Sequence, residues 1–123
     1  MSNKELVKTA MTALFANRDL SAIEKYWGTE YIQHNPHIAS GHEAVRNIVA
    51  GLGSDFKYEP GLVLEDGEFV VIHGRYTGWG PKPMLAADYF RVKDGKLVEH
   101  WDVMQEEVPR EQTAAKTAMF PIE

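Results

Sequence analysis

With 123 residues, 44% of them hydrophobic and 11% aromatic, the chain is expected to form one domain over residues 1–123 with an ordinary core. A net charge of −5 without blocks of like charge excludes an electrostatic footprint for nucleic acid or an anionic membrane, and zero cysteines exclude disulfides and thiolate metal sites. The N-terminal "MSNKELVKTAMTALF" mixes charge into its apolar residues, giving neither a signal-peptide core nor a membrane span, so a cytoplasmic location is expected. In chain order, Val7, Ala10, Met11, Leu14 and Phe15 recur at helical spacing and predict an amphipathic first helix. "DLSAIEKYW" predicts a short second helix with Leu20, Ile23, Tyr26 and Trp27 on one side, stopping at a left-handed Gly28. "TEYIQHNPHIAS" reads as extended, because Pro36 disfavours helical geometry at Asn35. A capping box of Ser40 and Glu43 announces a third helix through Leu52. After Gly53 the period changes to two. "FKYEP", "GLVLE", "EFVVIHGRYTG", "MLAADYFRVK" and "KLVEHWDVMQ" read as strands, with turns at "EDGE", "GWGPKP" and "KDGK".

Helices followed by an antiparallel meander predict an α+β domain with helices covering one face of a curved sheet. The turn at "KDGK" decides which side chains meet. A plain two-residue turn at Asp94-Gly95 would set Phe90 against Glu99 and mix apolar with charged groups on both faces. A three-residue loop with Gly95 left-handed pairs Phe90 with Val98 and Asp88 with His100. That register puts Ala86, Asp88, Phe90, Val98, His100, Asp102 and Met104 on one face, and Tyr89, Arg91, Leu97, Glu99, Trp101 and Val103 on the other. Unpaired buried charge costs several kcal/mol. Asp88, His100 and Asp102 therefore either line a pocket, or divide into an Asp88–His100 pair and a loop-capping Asp102.

The run "ADYFRVKDGKLVEHWDVMQ", with "YIQHNP" upstream and "AMF" near the C-terminus, resembles the SnoaL-like polyketide cyclase group of the NTF2-like superfamily, and more narrowly the predicted SnoaL-like aldol condensation-catalysing enzymes. The resemblance implies a cone-shaped α+β barrel with three N-terminal helices packed on a strongly curved mixed β-sheet, a deep apolar pocket, and a homodimer formed through the outer sheet faces. It implies cofactor-free chemistry, with Asp102 at the position of the cyclase general acid/base. A polar partner lies fourteen residues earlier in those enzymes; here that position is Asp88 in place of histidine.

The remaining histidines are read one by one. His34 and Asn35 are placed at the pocket mouth by the resemblance, where they could bond a substrate carbonyl or enolate oxygen. His37 reads as solvated and His42 as surface. His73, which shares a strand face with Phe69, Val71 and Arg75, is either pocket-lining or a core histidine. His34, His73, His100, Asp88 and Asp102 could converge on a metal, but no pair has a familiar ligand spacing, and no metal or cofactor is expected. Nor does any glycine pattern make a phosphate loop. Two readings follow. In the first, an acid/base enzyme acts on a small hydrophobic carbonyl compound, using Asp102, Asp88, His34 and His100, with Asn35, His73, Phe90, Met104, Tyr26 and Trp27 binding substrate. In the second, the same pocket binds a small hydrophobic ligand without catalysis.

Overall fold

The structure, a computed structural model, describes residues 1–123. Helix α1 spans Asn3–Met11 and is capped by Ser2, whose Oγ accepts from Glu5 N at 3.1 Å. It runs on as a π-helical turn over Thr12–Ala16, and Leu6, Val7, Ala10, Met11, Leu14 and Phe15 are all buried along this joint element. Helix α2 is only Ala22–Tyr26. Trp27 does not end that helix but begins β1, Trp27–Gln33, and Gly28 is a strand residue rather than a left-handed cap. Helix α3, His42–Ala50, also lacks the expected capping box: Gly41 at φ 98° is its N-cap, and Ser40 Oγ accepts from Gln33 N at 2.9 Å. His42 is not a free surface residue. Its Nε2 donates to the carbonyls of Trp27 and Gly28, fastening α3 to the start of β1.

Four antiparallel strands follow: β2 (Lys57–Asp66), β3 (Phe69–Thr77), β4 (Met84–Lys93) and β5 (Lys96–Glu106). The expected strands 56–60 and 61–65 are one strand, β2, bulged between Pro60 and Val63. The sheet order is β1-β5-β4-β3-β2, with β1 parallel to β5, so the architecture is α+β with three helices on a curved mixed sheet. The sheet is not closed into the barrel that the resemblance implies, because β1 and β2 stand at opposite edges and do not pair.

The β4–β5 hairpin corrects the expected register. Asp94 and Gly95 have φ of 50° and 72°, the two positive values that a two-residue type I′ turn demands. Lys93 therefore pairs with Lys96 and Val92 with Leu97. A bulge then follows, leaving Val98 as the extra residue. Beyond it Phe90 faces His100 and Asp88 faces Asp102. The bulge shifts the pairing by one, which restores the face parity that a plain two-residue turn would have lost. Asp88, Phe90, His100 and Asp102 thus share the helix-facing side as expected. Leu97 and Val98 are the exceptions: Leu97, paired with Val92, is fully buried in the core instead of lying on the outer face, and the bulged Val98 turns outward beside Ile32, Arg91 and Glu99 instead of inward.

The core lies between the helices and the inner sheet face. Leu14, Ile23, Ile72, Phe90 and Leu97 are at most 1% exposed, and each such side chain contributes roughly 1.5–3 kcal/mol by its burial. Part of the outer face is also covered. Phe120, near the C-terminus, packs on His73 with ring centres 5.5 Å apart and beneath the Arg75 guanidinium. Gly61 permits this approach, since a Cβ there would lie 2.9 Å from the Phe120 ring.

Candidate active site

A pocket opens between α1, α3, the β1–α3 loop and the inner sheet face, with about 60 Å³ of interior space. Met11, Phe15, Val45, Ile48, Phe90 and Met104 supply much of its apolar wall, and its polar end is Asp88, His100, Asp102, Gln33 and Asn35. Strand alternation explains the contribution of β1 and the loop after it. Tyr31, Gln33 and Asn35 point inward at spacing two, while Ile32 and His34 point out.

The polar end is oriented by backbone groups. Gln33 Oε1 accepts from the backbone N–H of His34 (3.1 Å) and of Asn35 (3.0 Å). Those donors fix which end of the amide is oxygen, so His100 Nδ1, 2.6 Å away, must carry its proton and donate. The other ring nitrogen, Nε2, is thereby aimed at Asp88 Oδ1 (2.8 Å), with Asp102 Oδ2 at 3.8 Å. Asp88 is 3% exposed and accepts from Tyr76 Oη at 2.8 Å on its second oxygen. Burial and the Asp88 carboxylate both push the Tyr76 hydroxyl well above its ordinary value, so it stays protonated and keeps donating. Asn35 is oriented in the same way as Gln33. Its Oδ1 accepts from His37 N at 2.8 Å, which turns Nδ2 toward both oxygens of Asp102 at 3.0 and 2.8 Å.

Tyr76, Asp88 and His100 thus form a chain with one proton between His100 and Asp88, and Asp102 stands beside it at the pocket wall. A desolvated carboxylate next to an imidazole that can hold a proton is suited to taking a proton from carbon or oxygen and returning it. Asp88, His100 and Asp102 also hold potential metal-ligand atoms within 4.8 Å of one another. A divalent cation there would have to displace the proton that His100 Nε2 and Asp88 Oδ1 share.

A sequence-family model of the SnoaL-like domain matches residues 8–100, most of the chain. The chain belongs to the SnoaL-like domain family. Solved structures agree in fold. A candidate ketosteroid isomerase from Kribbella flavida is 14% identical with a TM-score of 0.74, over 86% of this chain and 79% of that one. A candidate polyketide cyclase from Acidithiobacillus ferrooxidans is 20% identical with a TM-score of 0.71, over 85% and 91%. An NTF2-like protein of unknown function from Cytophaga hutchinsonii is 19% identical with a TM-score of 0.73, over the same shares. No curated protein matches the sequence.

In this SnoaL-like domain the pocket gathers seven of the expected residues: Asp102, Asp88, His100, Asn35, Phe90, Met104 and Trp27. Three lie elsewhere. His34 is on the outer side, stacked on Trp101 at 4.8 Å and bonded through Nε2 to Glu99 at 2.7 Å, because extended backbone cannot point both His34 and Asn35 inward. His73 sits on the outer face against Phe120, since β3 turns its neighbours Ile72 and Gly74 inward. Tyr26 is half-buried at the end of α2, under the Lys25 ammonium. His34 and His73 therefore do not join a metal cluster with Asp88, His100 and Asp102. The sequence reading missed Tyr31, Gln33 and Tyr76. The first two were legible from the alternation in "YIQHN", and Tyr76 from its shared face with Val70 and Ile72.

Of three buried side-chain polar atoms without a partner, Trp27 Nε1, Tyr58 Oη and His73 Nδ1, only Trp27 belongs to a residue of the pocket wall. Leaving such a donor unpaired costs about 1–3 kcal/mol.

Proposed function

We propose that this SnoaL-like domain is a cofactor-free acid/base enzyme that enolises a small hydrophobic carbonyl compound, in a reaction of the aldol-cyclisation or isomerisation type. The observation that carries the reading is Asp102: a pocket-wall carboxylate, aimed by Asn35 and backed by the Tyr76–Asp88–His100 chain. Asp102 takes the proton from the carbon beside the carbonyl, and the C–H electron pair moves into the enolate, placing charge on the carbonyl oxygen. In an aldol closure the enolate carbon then bonds to a second carbonyl carbon, and the proton on Asp102 passes to the new alkoxide. In an isomerisation the same proton returns to a different carbon. Asp88, bonded on both oxygens, holds His100 in place and is not the base. Fold similarity to candidate polyketide cyclases and ketosteroid isomerases supports the class of reaction by analogy only.

The expected partners are a small hydrophobic molecule and a second copy of the chain. On the outer face Val103, Leu64, Phe69 and Tyr89 are more than two-fifths exposed, which favours their burial in a homodimer.

The test is hydrogen exchange at carbon. In D₂O the wild-type protein is expected to speed exchange of the α-hydrogens of small cyclic ketones, followed by proton NMR. Asp102→Asn, which keeps the shape and one acceptor oxygen, should slow that exchange by roughly 10²- to 10⁴-fold. A wild-type protein that binds such ketones without exchanging their hydrogens favours the second reading, a ligand-binding module. The Asn35 clamp on both Asp102 oxygens is the feature that speaks for that alternative.

A further inference from the structure

The pocket does not end at its mouth. Asn35, Ile38, Ile48, Trp79 and Met104 line it and also line an open groove outside it. The two spaces are unequal, about 60 Å³ inside and about 590 Å³ in the groove. A site that encloses a whole small ligand offers about 300–1,000 Å³, so the inner space suits only the reacting end of a molecule and the groove receives the remainder. The groove has a chemistry of its own. None of its lining residues is Asp, Glu, Lys or Arg, although these make up 25% of the chain. Arg18 braces the rim by donating to the carbonyls of Leu52 and Gly53, without itself lining the groove. His37 and Asn47 are exposed along it, and Trp79 is its one large aromatic residue. Trp79, in the β3–β4 loop, is 41% exposed although its ring packs on Tyr76 (4.8 Å between centres), Phe56 (5.8 Å) and Phe15 (6.4 Å). Those neighbours hold the indole in place and leave part of it uncovered where the two spaces join.

We propose that Trp79 is a specificity-determining residue of the site: the groove takes a flat, uncharged, hydroxyl-bearing ring attached to the carbonyl end of the ligand, and that ring covers the exposed part of the indole. The inference rests on the reading of the pocket as a carbonyl site and names what the rest of the ligand must be. An indole already held by its neighbours gains contact area at little cost in conformational entropy. A hydroxyl at the far end of the ring has His37 and Asn47 along the groove to bond, each able to donate and to accept. An anion in its place finds no counter-charge in the groove, and the Asp88 and Asp102 carboxylates lie at the inner end. A ligand of one ring engages the inner space and leaves Trp79 in water. Trp79 therefore separates two-part ketones from one-part ketones.

Three probes separate these terms: cyclohexanone; 6-hydroxy-2-tetralone, in which a phenol ring is fused to the same cyclic ketone; and the tetralone with a carboxylate in place of the hydroxyl. Affinities come from calorimetric titration. Contacts come from nuclear Overhauser effects between the phenol ring protons and the Trp79 indole, assigned against Trp27 and Trp101 by its loss in Trp79→Phe. With the wild-type protein the hydroxytetralone should show that contact and bind at least about ten-fold more tightly than cyclohexanone, and the carboxylate at least about ten-fold more weakly than the hydroxytetralone. Trp79→Ala should weaken the hydroxytetralone about 3- to 20-fold more than it weakens cyclohexanone, and Trp79→Phe should restore most of that difference. The Overhauser contact is read on the wild-type protein, so it decides the matter even where Trp79→Ala fails to fold. Equal losses for the two ketones, an absent contact, a carboxylate bound as tightly as the phenol, or no binding of hydroxytetralone at millimolar concentration overturns the proposal. Exchange at carbon that depends on Asp102 while Trp79→Ala affects both ketones alike also overturns it, and spares the acid/base reading. Binding selective through Trp79 but without any exchange supports the role of Trp79 and removes that reading.

Discussion

His100 and His34 lie at neighbouring positions of the sheet, each within 2.8 Å of a carboxylate, yet the two faces use the same pairing for different ends. On the inner face the His100 and Asp88 side chains are 7% and 5% exposed, and every oxygen and nitrogen between them is committed. On the outer face His34 and Glu99 are 40% and 17% exposed, and Glu99 also pairs with Arg91, which bonds Glu68 in turn. Solvent screens the outer network, so its pairs are weak and interchangeable. The inner network has no water to fall back on. Removing one member leaves another unpaired in a dry site, and geometry is thereby enforced. The inner face is thus the one able to enforce the geometry that the proposed chemistry needs.

The largest expected consequence is that Asp88→Ala, which strands His100 and Tyr76, lowers stability by about 3–5 kcal/mol in denaturant titration. A loss under about 1 kcal/mol would mean that the inner network is as replaceable as the outer one. The next concerns pH. Burial raises Tyr31, Tyr58 and Tyr76, so each binds its proton more tightly folded than unfolded. Their stabilisation is complete below the ordinary tyrosine value of 10.0 and is lost progressively as pH rises above it. Tyrosinate absorbance from these three buried rings should therefore appear only as the chain unfolds. Their ionisation ahead of unfolding would show that the inner face admits water.

On the outer face, Val103→Lys, at a position 68% exposed, should convert a dimer to a monomer in sedimentation without shifting the melting temperature of the domain. A monomeric wild-type protein at micromolar concentration would remove the dimer from the account. Smallest of all, His34→Ala should cost no more than about 1 kcal/mol. It should also blunt the acid limb of the stability curve. Hydrogen bonding from His34, and then from Arg91, lowers Glu99, so its contribution is present above the ordinary carboxylate range and fades as pH falls through the lowered value. A variant melting like wild type at both acid and neutral pH would leave the His34–Glu99 pair without energetic content.

Much of this architecture was legible in the sequence, and the errors have physical causes. Strand periodicity located β3, β4 and β5 and set His100 with Asp102, while Asp88 joined their face only through the three-residue loop expected at the turn. The turn was misread because "KDGK" permits both a two-residue type I′ turn and a three-residue loop. A bulge at Val98 carries no sequence signal of its own, and it alone reconciles the two-residue turn with the inner placement of His100. His34 belongs to the pocket mouth only by the resemblance, and His73 to the pocket only by one of two readings, whereas the strand alternation turns both outward. Trp27 was read as the end of a helix, when it opens the strand that brings Tyr31, Gln33 and Asn35 to the pocket. The orientation of the two amides depends on backbone N–H groups that exist only once the β1–α3 loop has folded.

The central claim is a division of labour between two carboxylates that face each other across β4 and β5: Asp88 is a strut and Asp102 a reagent. Parallel measurement of Asp88→Asn and Asp102→Asn, by thermal melts and by α-hydrogen exchange of a small cyclic ketone, tests it most directly. Asp102→Asn should exchange roughly 10²- to 10⁴-fold more slowly than wild type while its stability changes by less than about 1 kcal/mol. Asp88→Asn should lose about 1–3 kcal/mol of stability, because an amide meets the donors Tyr76 and His100 less well than a carboxylate does. An Asp102→Asn protein that melts early yet exchanges ketone hydrogens at the wild-type rate would contradict the claim.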